Sequence, residues 1–233
     1  MKVLYEDNHL LVPLKPAGLP TMGAAAGKPT LLEQAKEYVA RKYNKPGNVY
    51  LGVVSRLDAP VTGVVVMART SKAAARLSEA FRNRRVNKQY LAAVEGRPDQ
   101  PSGTLVHHLR KDERHRKVHA TTPAAPGAQR AELAYHTLSA GPRGALLWVR
   151  PVTGRKHQIR VQLAKIGCPI VGDRKYGAAT PCPAGIALHA WRLGLEHPVR
   201  REPLTIDANR PGDWDQFWPL GAAETRRIAD GLA

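Results

Sequence analysis

The chain predicts an α+β fold, and three observations carry that prediction. Runs of strand length alternate with stretches of helical period, but without the regular strand–helix–strand rhythm of a doubly wound sheet. The 233 residues suffice for one sizeable core, or for one domain with two lobes. No internal repeat or long linker divides them, so residues 1–233 are expected to form a single domain.

The elements follow in order. Val3–Tyr5 and then His9–Val12 read as an early strand, ended by the punctuation of Pro13, Lys15-Pro16-Ala17-Gly18 and Leu19-Pro20. Thr30–Tyr43 reads as a helix with Leu31, Leu32, Ala35, Tyr38 and Val39 on one side, stopped by Lys45-Pro46-Gly47. Val64–Ala68 is an apolar strand. Thr70 or Ser71 caps a helix over Lys72–Arg85, with Ala73, Leu77 and Phe81 at four-residue spacing. Lys88–Gly96 alternates, with Tyr90, Ala92 and Val94 on one face and Leu91 and Ala93 on the other, which is a strand signal. Ala145–Val149 is a further apolar strand, closed by Pro151. His157–Ile166 reads as a helix stopped by Gly167 and Pro169. Thr121–Gln129 and Thr180–Gly185 read as surface loops, and the tail from Ala222 to Ala233 as a short or frayed helix.

Charge is the unusual bulk property. There are 36 Lys and Arg against 19 Asp and Glu, a net +17, and the pI is near 10.3. Such an excess speaks to partners, and nucleic acid leads because each neutralised phosphate releases a counterion. Only Cys168 and Cys182 occur, without zinc-ligand spacing, so free thiols in a reducing compartment are expected. The start of the chain lacks the character of a signal peptide, and no apolar run approaches the length of a membrane helix. The expectation is a soluble, cytoplasmic protein that binds no membrane.

Gly23 to Pro29 imitates a phosphate-binding P-loop, but the spacing is one residue short and Pro29 replaces the Ser or Thr that would hold magnesium. No metal or organic cofactor motif appears, so none is expected. His107–His119 packs five Lys or Arg and four His into thirteen residues. Cations this dense would repel a metal; a solvated hairpin is the plain reading and a phosphate-contacting arm through Arg110 and Lys111 the functional one. Val152–Arg160 is a glycine-containing turn leading into a helix, where Arg155, Lys156 and His157 stand at an anion-favouring end. Arg160, one turn in beside Ile159, needs a partner, and Asp58 is an available carboxylate. Asp58 itself closes Ser55-Arg56-Leu57-Asp58, ahead of Ala59-Pro60-Val61-Thr62-Gly63 and the apolar run. One acid held among so many cations suggests a nucleophile that works on a polyanion.

Taken together these blocks resemble the RluA-type pseudouridine synthases, which isomerise uridine to pseudouridine in RNA. The family's Lys-Pro-Ala/Ser-Gly is matched by Lys15–Gly18, and its His-Arg-Leu-Asp-x-x-Thr-Ser-Gly by Ser55–Asp58 with Thr62-Gly63. Its Lys-x-Tyr-x-Ala-x-Val-x-Gly is matched, slightly shifted, by Lys88, Tyr90, Ala92, Val94 and Gly96. Thr-Gly-Arg-x-His-Gln-Ile-Arg is matched in full by Thr153–Arg160. Gly172-Asp173-x-x-Tyr176-Gly177, Leu188-His189-Ala190 and His197-Pro198 also fit, in family order, over residues 3 to 210. Ser55 stands where the family has His, and Ala59-Pro60-Val61 replaces Arg-Asp-Thr.

The resemblance implies a pseudouridine synthase fold: a mixed, largely antiparallel central sheet flanked by helices and loops, with an active-site cleft across it and no S4-type RNA-binding module ahead. It implies one ionised carboxylate, Asp58, as nucleophile or base, with Arg160 as its partner and no cofactor or metal. Tyr90 would stack on the target uracil and Leu188 pack beneath it. Arg56 would fill the space left by the flipped nucleotide, or simply contact a phosphate. Lys15, Arg110, Lys111, Arg155, Lys156 and His157 would bind structured RNA, ribosomal or transfer, to a monomer. Two rival readings are a non-catalytic RNA-binding protein and a hydrolase with paired carboxylates, for which Asp173 is the second acid.

Overall fold

The computed structural model describes residues 1–25, 27–142, 144–183, 185–212 and 214. The tail expected as a helix lies outside them. In chain order the elements are β1 (Val3–Glu6), β2 (Leu10–Lys15), α1 (Leu31–Lys42), β3 (Gly52–Val53), β4 (Thr62–Val64), β5 (Met67–Ala68), α2 (Ser71–Arg82), β6 (Asn87–Val94), β7 (Ser102–Asp112), β8 (Lys117–Thr121), β9 (Gln129–Gly141), β10 (Gly144–Pro151), α3 (Gln158–Lys165), β11 (Leu188–Glu196) and β12 (Pro203–Asp207), with a short 3-10 helix at Arg174–Tyr176. They form two compact units. Among the described residues, the first takes 1–88 and 190–209, the second 89–189 and those from 210 on.

In the first unit the strand order is β3-β5-β2-β4-β11, with β1 on β2 and β12 on β11. Both expected helices form, α1 with Thr30 as its cap instead of its first residue, and α2 capped by Thr70, one of the two residues expected, and ending at Arg82 instead of Arg85. Thr30 and Glu33 form a reciprocal capping box on α1, and the Thr70 side chain accepts from Ala73 N–H on α2, each worth about 1 kcal/mol. The strands between them are apolar on both faces. Leu10, Val12, Val64, Val66 and Ala68 pack with Ala73 and Leu77 of α2, whereas Leu11, Val65 and Met67 pack with Leu31, Ala35 and Val39 of α1. Alternation along one run thus feeds two cores.

Two strand expectations are corrected, and Pro13 explains both. The early strand continues through Pro13 to Lys15, with the register against β1 shifting between Val3 and Tyr5, the kind of irregularity that lets a strand hold a proline. The run Val64–Ala68 is two strands, although Leu14↔Val64 and Leu11↔Met67 keep one continuous register. That register sets Pro13 against Val65. Val65 N–H donates to Pro13 O at 3.3 Å, but the return bond has no donor, because proline carries no N–H.

In the second unit the order is β6-β10-β9-β7-β8, joined by antiparallel pairings. Trp148 of β10 donates to Gln89 of β6 at 3.0 Å, a buried pair. The His107–His119 segment is a hairpin of β7 and β8, with Arg110 opposite His119 and Lys111 opposite Val118. Its inner face packs Leu109 and Val118 on Ala131 and on Val161 of α3. Residues 122–128, the Pro/Ala-rich stretch, join β8 to β9.

Candidate active site

In the first unit Asp58 sits in the loop between β3 and β4. Two side chains from the Lys15–Thr21 stretch hold this loop. Thr21 Oγ1 accepts from Leu57 N–H at 3.1 Å and donates to Leu57 O at 3.0 Å, so both polar groups of the residue before Asp58 are fixed. Lys15 Nζ donates to Pro16 O at 2.9 Å, Leu19 O at 2.7 Å and Ala59 O at 2.8 Å. Asp58 O accepts from Val61 N–H at 3.0 Å, a turn with Ala59-Pro60 at its corner. Two of the residues that depart from the family pattern, Ala59 and Pro60, therefore fall on corner positions.

Lys15 is corrected from the role expected of it. Its side chain is 0% exposed, and three carbonyls use its three donors, so it lies beneath the loop and not at a surface where RNA would lie. Burial lowers its pKa to about 8, against an opposing pull from the Asp58 charge. Asp58 is half-buried and Arg56 exposed. Behind the turn, Gly63 has φ +121 and its backbone presses on β11; a Cβ there would stand 2.2 Å from Ala190 O. The Gly of the motif is thus a requirement of close approach.

In the second unit Arg160 is buried in α3 and grips Asp173 with two bonds, Nε to Oδ2 at 2.6 Å and Nη2 to Oδ1 at 2.8 Å. Asp173 is 1% exposed. A carboxylate committed in this way does not suit the second acid of a paired-carboxylate hydrolase. Asp173, within the Gly172–Gly177 motif, is thus a partner of Arg160 that the sequence alone does not indicate.

The turn before α3 is tied by the motif's own side chains. Gln158 accepts from Thr153 Oγ1 at 2.7 Å and from Arg155 N–H at 2.9 Å, and donates to Glu132 O at 2.9 Å. Thr153 Oγ1 accepts from Glu132 N–H at 2.9 Å. Thr153 and Gln158 are buried, while Arg155 and Lys156 are exposed at the turn. His157 precedes the helix in a left-handed conformation, φ 52, so the helix begins one residue later than expected. Its Nδ1 lies 2.6 Å from the Tyr176 hydroxyl. Tyr90 is half-buried in β6 opposite Val149, and Leu188 is 3% exposed at the start of β11. Arg110 and Lys111 are exposed on the hairpin.

His197-Pro198 proves structural. His197 is 0% exposed; its Nδ1 accepts from Val199 and Arg200 N–H, which leaves the proton on Nε2, 2.8 Å from Asp7 Oδ2. Among the described residues no three His, Cys, Asp or Glu side chains are placed to hold a metal ion, and no helix is long and apolar enough to cross a membrane.

The sequence profile described as RNA pseudouridylate synthase matches residues 9–165. The chain belongs to this family. Among related pseudouridine synthases, the ribosomal large subunit pseudouridine synthase D of Zymomonas mobilis is 32% identical over 231 residues, covering 94% of this chain and 72% of the relative. The dual-specificity RNA pseudouridine synthase RluA of Escherichia coli K12 is 32% identical over 220 residues, covering 91% and 93%. The human RNA pseudouridylate synthase domain containing 4 superposes with a TM-score of 0.76 at 27% identity, covering 91% of this chain and 90% of that one. The protein is an RluA-type pseudouridine synthase, an isomerase acting on RNA, and its α+β fold is the pseudouridine synthase fold.

Proposed function

We propose that this synthase isomerises chosen uridines of structured ribosomal RNA, with Asp58 as the carboxylate that attacks or deprotonates at the sugar. The observation that carries the reading is the Asp58 loop, where a buried ammonium and a buried hydroxyl fix the main chain on either side of one carboxylate. The reaction breaks the C–N glycosidic bond, turns the uracil and joins C5 to the same sugar carbon. C5 gives up a hydrogen and the released ring nitrogen takes one, so the balance needs no redox partner.

In this reading Arg160 serves as a cation of the reaction, Tyr90 stacks on the uracil, and Leu188 packs beneath it. The target nucleotide leaves its stack at a cost of a few kcal/mol, and the exposed Arg56 fills the space it vacates. Arg110, Lys111, Arg155 and Lys156 meet phosphates, with His157 beside them. Residues 1–233 work as one catalytic module, as a monomer, in the cytoplasm. Ribosomal RNA is placed before transfer RNA because the relative from Zymomonas mobilis is named for the large ribosomal subunit. Mapping pseudouridines in ribosomal and transfer RNA, with and without the gene, tests this. Loss confined to ribosomal sites agrees; loss confined to transfer RNA, or no loss, contradicts it.

A further inference from the structure

We propose that Tyr176 is a positioning residue that ties the basic hairpin to Arg160, so that RNA seated on the hairpin sets the guanidinium. This rests on the reading above of the hairpin as an RNA arm and of Arg160 as a cation of the reaction. Every group in the argument belongs to the second unit.

The 3-10 helix Arg174–Tyr176 touches three consecutive hairpin residues. Lys175 Nζ donates to Arg116 O at 3.2 Å. Lys117 Nζ stands over the Tyr176 ring, 5.4 Å from its centroid. Val118 N–H, on the terminal strand of the unit, donates to the Tyr176 hydroxyl at 3.0 Å. The same aromatic ring lies under the Arg160 guanidinium at 5.0 Å, and Asp173, just before the helix, holds that guanidinium with two bonds. Beside the bond from Val118, the hydroxyl shares a second hydrogen bond with His157 Nδ1 at 2.6 Å.

One side chain therefore uses two parts for two ends of a chain of contacts. The hydroxyl seats the hairpin strand, whose outward N–H would otherwise have only water. The ring gives the guanidinium a face to rest on, an attraction that strengthens away from solvent. A residue that merely filled space would not separate these parts. Phenylalanine keeps the ring and drops the hydroxyl; leucine drops both.

The test uses the full chain and C5-tritiated total RNA from cells lacking the protein. Tritium release under single turnover gives the rate at saturating RNA, and filter binding over a range of salt gives affinity. Tyr176→Phe is expected to weaken RNA binding roughly fivefold, the worth of about one hydrogen bond, and to make its salt dependence shallower. Tyr176→Leu is expected to lower the saturated rate roughly tenfold as well, and phenylalanine restores most of that rate. In an R110Q/K111Q background Tyr176→Phe should add little further loss of affinity, because the two changes act on one arm. If phenylalanine restores nothing, or if the losses add in full, the proposal is overturned and Tyr176 is a packing residue. If the unaltered protein releases no tritium, the reading of the site fails first and this proposal falls with it.

Discussion

Lys15 donates to the carbonyl of Ala59 at 2.8 Å, and Ala59 directly follows Asp58. A buried ammonium thus holds the main chain beside the proposed reacting carboxylate without itself reaching RNA. Lys15→Met leaves three carbonyls without their donor. It is expected to lower the saturated rate of tritium release at least about tenfold, since misplaced groups cost that much or more, while RNA affinity stays within a few-fold. Paired rate and filter-binding measurements check this; a parallel loss of affinity would put Lys15 back at the RNA.

The same lysine predicts a pH dependence. Its pKa is about 8 in the folded chain, against 10.5 when exposed. Below about pH 8 folded and unfolded chains both carry the charge, and the folded one bears the cost of burying it. From about 8 to 10.5 the folded chain has shed its proton while the unfolded chain keeps it, so stability rises with pH on account of this group. Urea unfolding of wild type and Lys15→Met at pH 7 and pH 10 should show the wild type gaining on the order of 2–3 kcal/mol relative to the variant. An unchanged difference contradicts it.

Asp173→Ala breaks the two-bond grip on Arg160. Removing one partner of a buried ion pair costs about 3–5 kcal/mol, and a loss of that order is expected in urea unfolding. Arg160→Lys is not a mild change here, because an ammonium cannot reproduce the guanidinium's fork.

Gly63→Ala drives a Cβ into the Ala190 main chain, 2.2 Å from its oxygen. Both strands would have to part, so a loss of several kcal/mol or failure to fold is expected. Thermal unfolding measures it; a midpoint within a few degrees of wild type refutes the close approach.

Neutralising Arg110, Lys111, Arg114, Arg116 and Lys117 together should flatten the plot of log affinity against log salt by somewhat under one unit for each phosphate contact removed. An unchanged slope means that the hairpin faces away from RNA.

These residues also show what was legible in the sequence. Both helices were, because their apolar spacing is local, and Thr70 stood among the two expected caps of α2; the Thr30–Glu33 box on α1 came from the structure. The break in the Val64–Ala68 run was not, since its cause is Pro13 on a partner strand about fifty residues away. The motif order carried the family, yet it did not separate residues by depth. Thr153 and Gln158 stand in the same block as exposed Arg155, and Lys15 in a family block as Arg56 does, but Lys15, Thr153 and Gln158 are buried and spent on main-chain and neighbouring groups. Thr21 was missed outright, because nothing local marks a hydroxyl that bonds a residue thirty-six positions on.

The central claim is that Asp58 performs the chemistry and does not hold the RNA. Tritium release from C5-labelled uridine RNA by Asp58→Ala, beside its RNA affinity, tests this most directly. The account predicts no release above background with affinity within a few-fold of wild type; an Asp58→Ala protein that still releases tritium would contradict it.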